Sequence, residues 1–599
     1  MPIFLKSTYS FSLSEIIMNR YAVFFLCAVS LLSGCRSVEE KQVIIQAPEA
    51  IQEEVAKAYE SDNAAYGLSL LQGAKERYPD ENWDSQWIKG VSLIHQSFFK
   101  AVEAENWRSA LKYYRSLISL GDKDSVSEWN EKKLEKHMLL KLVKDENPVL
   151  GLTLFADQFS DLQFSESEYD LLLKTSETEK HVVSHNLIQK SLGRNADEQE
   201  LLTTEKTRQL MKGMATVWVD RGIKLEDGLG YPDRVIGSGF FIDSRGYLLT
   251  NHHVIESEVN PKYEGYSRLY IRLASAPKEK IPAKVVGWDT LLDLALLKVE
   301  YTPGYVFSFT KAEMGPGQHI YAIGSPGGLE STITSGIVSA TERRLLQIGD
   351  TTQIDVPINH GNSGGPLIDE YGNVVGVVFA GIESFEGINF AIPGKWINLV
   401  IDQLYYGNKV QHPWLGVAVY EQPEGLEVLY VFPDSPAASS GIQAGDIITG
   451  VGSFSDNEIG NFQYEFLHHL SGEAISVSLL RETDEKRIIS YLGVRPDSPF
   501  TEAAKKDSKE RFLLPLFGFD FESAGATLWE RRFRITRILT GMAADDTGLS
   551  VNDPFILKNI SLMPDQGIAL TELIIKKRKA GFIESTIQLG AYIDADYFL

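Results

Sequence analysis

The chain has 599 residues, too many for one hydrophobic core and enough for roughly three to five domains. Its 43% hydrophobic and 23% charged residues are those of ordinary globular material. A formal net charge of −23, from 81 acidic against 58 basic residues, argues against a nucleic-acid cradle, which needs a basic face to displace counterions; it reads instead as acidity that favours solubility.

Met18-Asn19-Arg20 supplies a short basic start, and Tyr21 to Leu32 form an apolar run of 12 residues. That run is too short to span a bilayer comfortably and suits a signal-peptide core. Residues 1–17 then look superfluous, with translation expected from Met18. The run ends in Leu32-Ser33-Gly34-Cys35, which resembles the lipobox of bacterial lipoproteins. The resemblance implies a signal peptide over 1–34, cleavage before Cys35, and acyl (palmitate-type) chains on Cys35, two or more of which anchor stably where one binds marginally. Arg36 is not the aspartate associated with inner-membrane retention, which points to the outer membrane and a periplasm-facing lipoprotein. Only Cys27 and Cys35 exist, so the mature chain keeps one cysteine and no disulfide.

Residues 36–46 read as a tether. From about Ala47 to Leu192, apolar residues recur at helical spacing. Three segments look alike, beginning at Asn63, Asn106 and Asn147, with small residues at Gly67, Ala110 and Gly151 that would let helices approach closely. Their spacings of 43 and 41 residues exceed the roughly 34 of a tetratricopeptide repeat, so 35–205 is expected to be a tether followed by a helical, tetratricopeptide-like domain or a plain bundle.

A polar stretch over 193–206 marks a boundary, after which the texture changes. Ala215–Val219, Gly239–Ile242, Leu269–Leu273, Leu294–Val299, Ile320–Ile323 and Val374–Phe379 are β-branched or aromatic runs between Gly-rich turns, the rhythm of an antiparallel barrel or sandwich. Within this region Gly361-Asn362-Ser363-Gly364-Gly365-Pro366 sets a serine among glycines that let successive N–H groups face one concavity. Thr250-Asn251-His252-His253-Val254 lies 110 residues upstream, counted from His253 to Ser363, and Asp293 falls between. A serine hydroxyl needs an imidazole to take its proton, and the imidazole needs a carboxylate to fix its tautomer. All three are present in the order His, Asp, Ser that the two-barrel chymotrypsin fold uses.

These motifs, with Gly237-Ser238-Gly239-Phe240-Phe241-Ile242, Asp293–Lys298, Thr334–Ser339 and Asn389-Phe390-Ala391-Ile392-Pro393, resemble the HtrA or Deg (high-temperature-requirement) family of trypsin-like proteases over about 210–400. The resemblance implies a double β-barrel over 206–405 with His253 as general base, Asp293 as its acid and Ser363 as nucleophile. It assigns no catalytic part to His252, a structural neighbour, or to Asp289, a turn residue. The amides of Gly361, Asn362 and Ser363 would form the oxyanion hole, and Ile358 with Asn389, Phe390, Ala391 and Ile392 the specificity pocket. Pro357 departs from the small residue usual there, and Asp355 lies further back, so no acid serves the pocket.

Pro413-Trp414-Leu415-Gly416-Val417, Ser435-Pro436-Ala437-Ala438 and Gly445-Asp446-Ile447-Ile448 resemble a PDZ domain over 406–500, with Leu415, Gly416 and Val417 as its carboxylate loop. Leu516-Phe517-Gly518-Phe519 and Gly548–Asp553 echo it in a second, degenerate PDZ-like module over 501–599, where Asn552 replaces the usual glycine and tolerates the left-handed conformation. The expected protein is multidomain α+β. It would be a serine endopeptidase hydrolysing misfolded or unassembled cell-envelope proteins through an acyl-enzyme, with PDZ domains binding C-terminal or extended peptides. No metal or cofactor is expected, and the family resemblance implies a homo-oligomer, a trimer. A vestigial protease acting as a holding scaffold, and a signalling protease with one partner, are the rival readings.

Overall fold

The structure, a computed structural model, describes residues 47–194, 200–226, 228–310, 313–325, 332–358, 361–381, 387–526, 531–578, 582–593 and 597–599. Met18, the apolar run, Cys35, the tether and 195–199 of the polar boundary lie outside the described residues. The chain divides into two units, Met1–Glu49 and Ala50–Leu599, and the architecture that follows is that of the second.

Asn63, Asn106 and Asn147 each stand at the N-cap of a helix, Ala64–Arg77, Trp107–Ser119 and Pro148–Leu154. Asn106 and Asn147 accept the Ser109 and Leu150 N–H groups at 3.2 Å, satisfying donors that a helix start leaves without partners. The look-alike segments are thus helix starts, and the small residues pack as their sizes require. Ala110 is fully buried, and a Cβ on Gly67 or Gly151 would collide with Tyr59 or Val143. Among the described residues, no helix is long and apolar enough to cross a membrane.

Strands β1 (Met214–Glu226), β2 (Leu229–Asp243), β3 (Tyr247–Thr250), β4 (Arg268–Leu273), β5 (Ala276–Asp289) and β6 (Leu294–Val299) close into one barrel, in the order β5-β4-β1-β2-β3-β6 with β6 pairing back onto β5. Strands β7 (His319–Gly324), β8 (Thr332–Arg343), β9 (Thr351–Ile354), β10 (Pro366–Ile368), β11 (Val374–Gly381) and β12 (Asn389–Pro393) close a second, in the order β10-β11-β12-β9-β8-β7. Every strand-like run of the sequence falls in one of these strands. Period-two alternation sends Ala215, Val217 and Val219 inward against Phe241, Ile271 and Leu297. A further core joins the helical region to the barrels, with Phe155 and Leu172 packed in one cluster with Phe240, Leu249 and Ile397. Phe155 and Phe240 have no exposed surface, and burying such a side chain contributes about 1.5–3 kcal/mol.

The helix Gly394–Tyr406 and strand β13 (Asn408–Lys409), parallel to β5, lead out of the second barrel. Next come β14 (Pro413–Trp414), β15 (Val417–Gln422), β16 (Gly425–Val431), β17 (Ile447–Val451), β18 (Phe454–Ser455), β19 (Ala474–Arg481), β20 (Asp484–Tyr491) and β21 (Gly493–Val494). The main sheet runs β15-β16-β17-β19-β20, with the helix Ile459–His468 between β18 and β19. The helical region braces it: Arg481 pairs with Glu76 at 2.6 Å, and the Ala474 N–H donates to Ser116 Oγ at 3.0 Å. The last sheet, β22 (Phe519–Ala526), β23 (Arg531–Ile538), β24 (Pro554–Met563), β25 (Ile568–Arg578) and β26 (Phe582–Tyr592), is a simple antiparallel meander. Its α-helix Ala543–Asp546 is only four residues long, and β24 turns into β25 through the 3-10 turn Pro564–Gln566.

Candidate active site in the cleft between the barrels

The turn from β5 to β6 begins at Asp289 and ends at Asp293. Asp289 Oδ1 accepts the Leu291 and Leu292 N–H groups at 2.9 and 3.1 Å, which winds the chain so that Asp293 takes the left-handed conformation, with φ of 53°. An aspartate tolerates that conformation better than most residues. Asp293 meets the end of β3 with every acceptor it has. Its carbonyl takes the His252 N–H at 3.1 Å and Asn251 Nδ2 at 2.8 Å. Its carboxylate takes the His253 N–H at 2.8 Å and His253 Nδ1 at 2.7 Å. His253 therefore donates from Nδ1 and keeps Nε2 as an acceptor. Burial opposes charge on His253, but the hydrogen bond and attraction of Asp293 outweigh it and raise its pKa above the ordinary 6.5. His252 moves the other way, lowered chiefly by burial.

The serine comes from the second barrel, in the loop before β10, and Ser238 of β2 clamps it. Ser238 Oγ donates to the Gly361 carbonyl at 2.6 Å, and the Ser238 N–H donates to the Ser363 carbonyl at 2.7 Å. Gly364, at φ of 84°, sits so close to the Ser238 carbonyl and Thr250 Oγ1 that no Cβ fits, which explains the glycine after the serine. Among the described residues, no hydrogen bond occupies the N–H groups of Gly361, Asn362 or Ser363. Ser363 Oγ donates to the Phe379 carbonyl at 3.4 Å, and no hydrogen bond joins it to His253. The histidine and aspartate are thus locked together, while the serine shares the cleft with its hydroxyl turned aside.

Of the residues expected to line the specificity pocket, Asn389, Phe390, Ala391 and Ile392 lie on β12. Asn389 Nδ2 donates to the Val356 carbonyl at 2.8 Å, tying β12 to the segment that carries Pro357 and Ile358. Phe390 and Ala391 are buried, and Ile392 packs in the core with Ile368, Val374 and Ile397. Asp355 is committed elsewhere: its Oδ1 accepts the Ile337 N–H of β8 at 2.6 Å. Among the described residues, no cluster of three His, Cys, Asp or Glu side chains could hold a metal ion.

In the PDZ loop Leu415 and Val417 are buried, and Gly416 has φ of 92° with its α-carbon against Ser435, leaving no room for a side chain. The second module keeps the turn chemistry. Asn552 has φ of 73° where Gly445 has 91°, and Asp553 Oδ2 accepts the Ser550 N–H at 3.0 Å as Asp446 Oδ2 accepts that of Gln443 at 2.8 Å. It lacks the wall of a groove, because no helix stands between β24 and β25.

Two residues escaped the sequence reading in part. Ser238 was visible only as the middle of a Gly-Ser-Gly motif. Asp289 is the turn residue expected, but it also carries an ion pair with His412, whose Nε2 lies 2.9 Å from each carboxylate oxygen. Nothing near Asp289 in the sequence announces a partner 123 positions away.

Residues 237–377 match the trypsin-like peptidase domain, 413–489 the PDZ domain, 500–593 the TP0546 family PDZ domain, and 77–138 a domain of unknown function. The probable periplasmic serine endoprotease DegP-like of Marinomonas sp. (strain MWYL1) is 34% identical over 342 residues, covering 54% of this chain and 71% of that relative. Its namesake in Hahella chejuensis (strain KCTC 2396) is 36% identical over 282 residues, covering 43% of this chain and 57% of the relative. A solved structure, HtrA-type protease AlgW with decapeptide, is similar at 27% identity and a TM-score of 0.42, covering 48% of this chain and 98% of that one. Identity of 34% across 71% of a DegP-like endoprotease, over matched peptidase and PDZ domains, makes the chain a member of the HtrA/Deg family of trypsin-like serine endopeptidases.

Proposed function

We propose that Ser363, His253 and Asp293 hydrolyse peptide bonds of unfolded or unassembled cell-envelope proteins through an acyl-enzyme. The observation that carries this reading is the Asp293 carboxylate, which holds both the backbone N–H and Nδ1 of His253 and leaves Nε2 free to accept. Rotation of the Ser363 hydroxyl away from the Phe379 carbonyl brings its proton to Nε2, a closure often incomplete until substrate binds. Oγ then bonds to the scissile carbonyl carbon as Nε2 takes the hydroxyl proton. The N–H groups of Gly361, Asn362 and Ser363 receive the oxyanion, each donor contributing about 2.7–4 kcal/mol. Collapse expels the amine, which leaves with the proton held on His253, and the ester stays on Ser363. Water, deprotonated by the same Nε2, hydrolyses that ester to a carboxylate product and restores the hydroxyl.

The pocket reading is apolar. Ile358 with the Asn389–Ile392 strand offers no carboxylate to a substrate lysine or arginine, and an unpaired cation there would suffer full desolvation. Cuts should follow valine, leucine, alanine or isoleucine, loosely, since one methylene changes discrimination by only about 1–3 kcal/mol. Digestion of denatured casein with mass-spectrometric mapping tests this: cuts mainly after lysine or arginine overturn the pocket, and digestion undiminished by Ser363→Ala overturns the mechanism. The finer placement belongs to the same proposal: a lipoprotein anchored through Cys35, periplasm-facing in the outer membrane, a trimer, with a tetratricopeptide-like helical domain. Palmitate labelling that persists in Cys35→Ala refutes the anchor.

A further inference from the structure

The groove of the first PDZ module is occupied by the chain itself. β15 is an edge strand, and Tyr597–Leu599 lies along it. Ala418 and Phe598 pair antiparallel; the Val419 N–H donates to the Tyr597 carbonyl at 3.0 Å, and the Leu599 N–H donates to the Val417 carbonyl at 3.1 Å. The Gly416 and Val417 N–H groups converge on the Leu599 oxygen at 2.8 and 3.3 Å. That is strand addition, with the Leu599 backbone oxygen seated where the loop presents successive donors.

The side chains alternate as an added strand requires. Leu599, 4% exposed, packs with Leu415, Val417, Ile442, Phe462 and Phe466 between β15 and the helix Ile459–His468. Phe598 turns to the other side, where its ring lies 5.5 Å from both Phe432 and Phe500. Gln463 of the same helix donates to the Phe598 carbonyl at 3.3 Å, so both walls of the groove hold the segment.

We infer that Tyr597–Leu599 is the resident ligand of this groove, and that polypeptides ending in leucine behind aromatic residues bind there only by displacing it. The inference rests on the reading of the module as a peptide-binding groove. A ligand in the same chain competes at an effective concentration on the order of 1 mM, so for an intrinsic Kd of about 10 µM it weakens an external peptide about 100-fold. Among the described residues the second module shows no such occupant, and no α-helix between β24 and β25 against which one could be held.

The test is fluorescence anisotropy of a labelled peptide with the sequence of residues 590–599, titrated with the full chain carrying Ser363→Ala to prevent cleavage. Leu599→Asp in that background puts a charge where leucine fills an apolar pocket and should raise affinity about 100-fold, as much as the competition predicts. Where circular dichroism shows that Leu599→Asp fails to fold, a Gly-Ser pair appended after Leu599 expels the segment with every side chain intact. Equal affinity in the unaltered and released chains overturns self-occupancy and leaves the groove reading standing. Binding by none of them overturns the groove reading, and the inference with it.

Discussion

Two aspartate–histidine pairs hang from one turn, and they do opposite things. Asp293 and His253 face the cleft: the imidazole is 44% exposed, one nitrogen is spent on the carboxylate, and Nε2 is left available. Asp289 and His412, at 0% and 3%, join the first barrel to the segment entering the PDZ module, with Nε2 spent on both carboxylate oxygens. The chemistry of the pair is the same in both. What separates a base from a strut is which nitrogen remains and whether anything can reach it.

The comparison breaks most visibly on activity. Ser363→Ala, His253→Ala and Asp293→Ala should each lower casein cleavage by about 10⁴-fold or more, and the losses should not add, because the three act as one unit. His412→Ala should leave that rate nearly unchanged per folded molecule while lowering stability by about 3–5 kcal/mol, the cost of leaving the buried Asp289 charge without its side-chain partner; chemical denaturation reads it. An inactive but fully stable His412→Ala would invert the roles given to the two pairs.

Acid sharpens the contrast. In the proposed mechanism His253 works only when neutral, and Asp293 holds its pKa above 6.5, so cleavage should fall as pH drops through a value above 6.5. For Asp289, burial favours the neutral acid, but attraction to His412 and the backbone donors prevails and lowers its pKa below 3.8. A lowered folded pKa gives stability that is present above 3.8 and lost as pH falls through the folded value. The difference in melting temperature between the unaltered chain and Asp289→Asn should therefore narrow below pH 3.8. The smallest effect belongs to His252→Ala, which should change cleavage by no more than about twofold, since only its backbone N–H engages Asp293.

Much of this was legible from local pattern. Period-two alternation marked the strands, and in the motif around Ser363 Gly364 is fixed by close contact with Ser238 and Thr250, as Gly365 is by the Ile323 carbonyl. Asn552 kept its turn because asparagine accepts positive φ, as its side chain suggested. What stayed hidden was pairing at a distance. His412 has no sequence sign of Asp289, and nothing in Tyr597–Leu599 signals its pairing with β15. The second module looked like the first because its turn residues are shared; the difference lies in the length between β24 and β25, too short for a helix.

The most direct measurement of the central claim is labelling of the folded chain with a fluorophosphonate probe, located by peptide mass spectrometry. The account predicts one adduct, on Ser363, lost in His253→Ala and retained in His412→Ala at a temperature where that variant remains folded. No adduct on the folded unaltered chain, or labelling that survives Ser363→Ala, would contradict it.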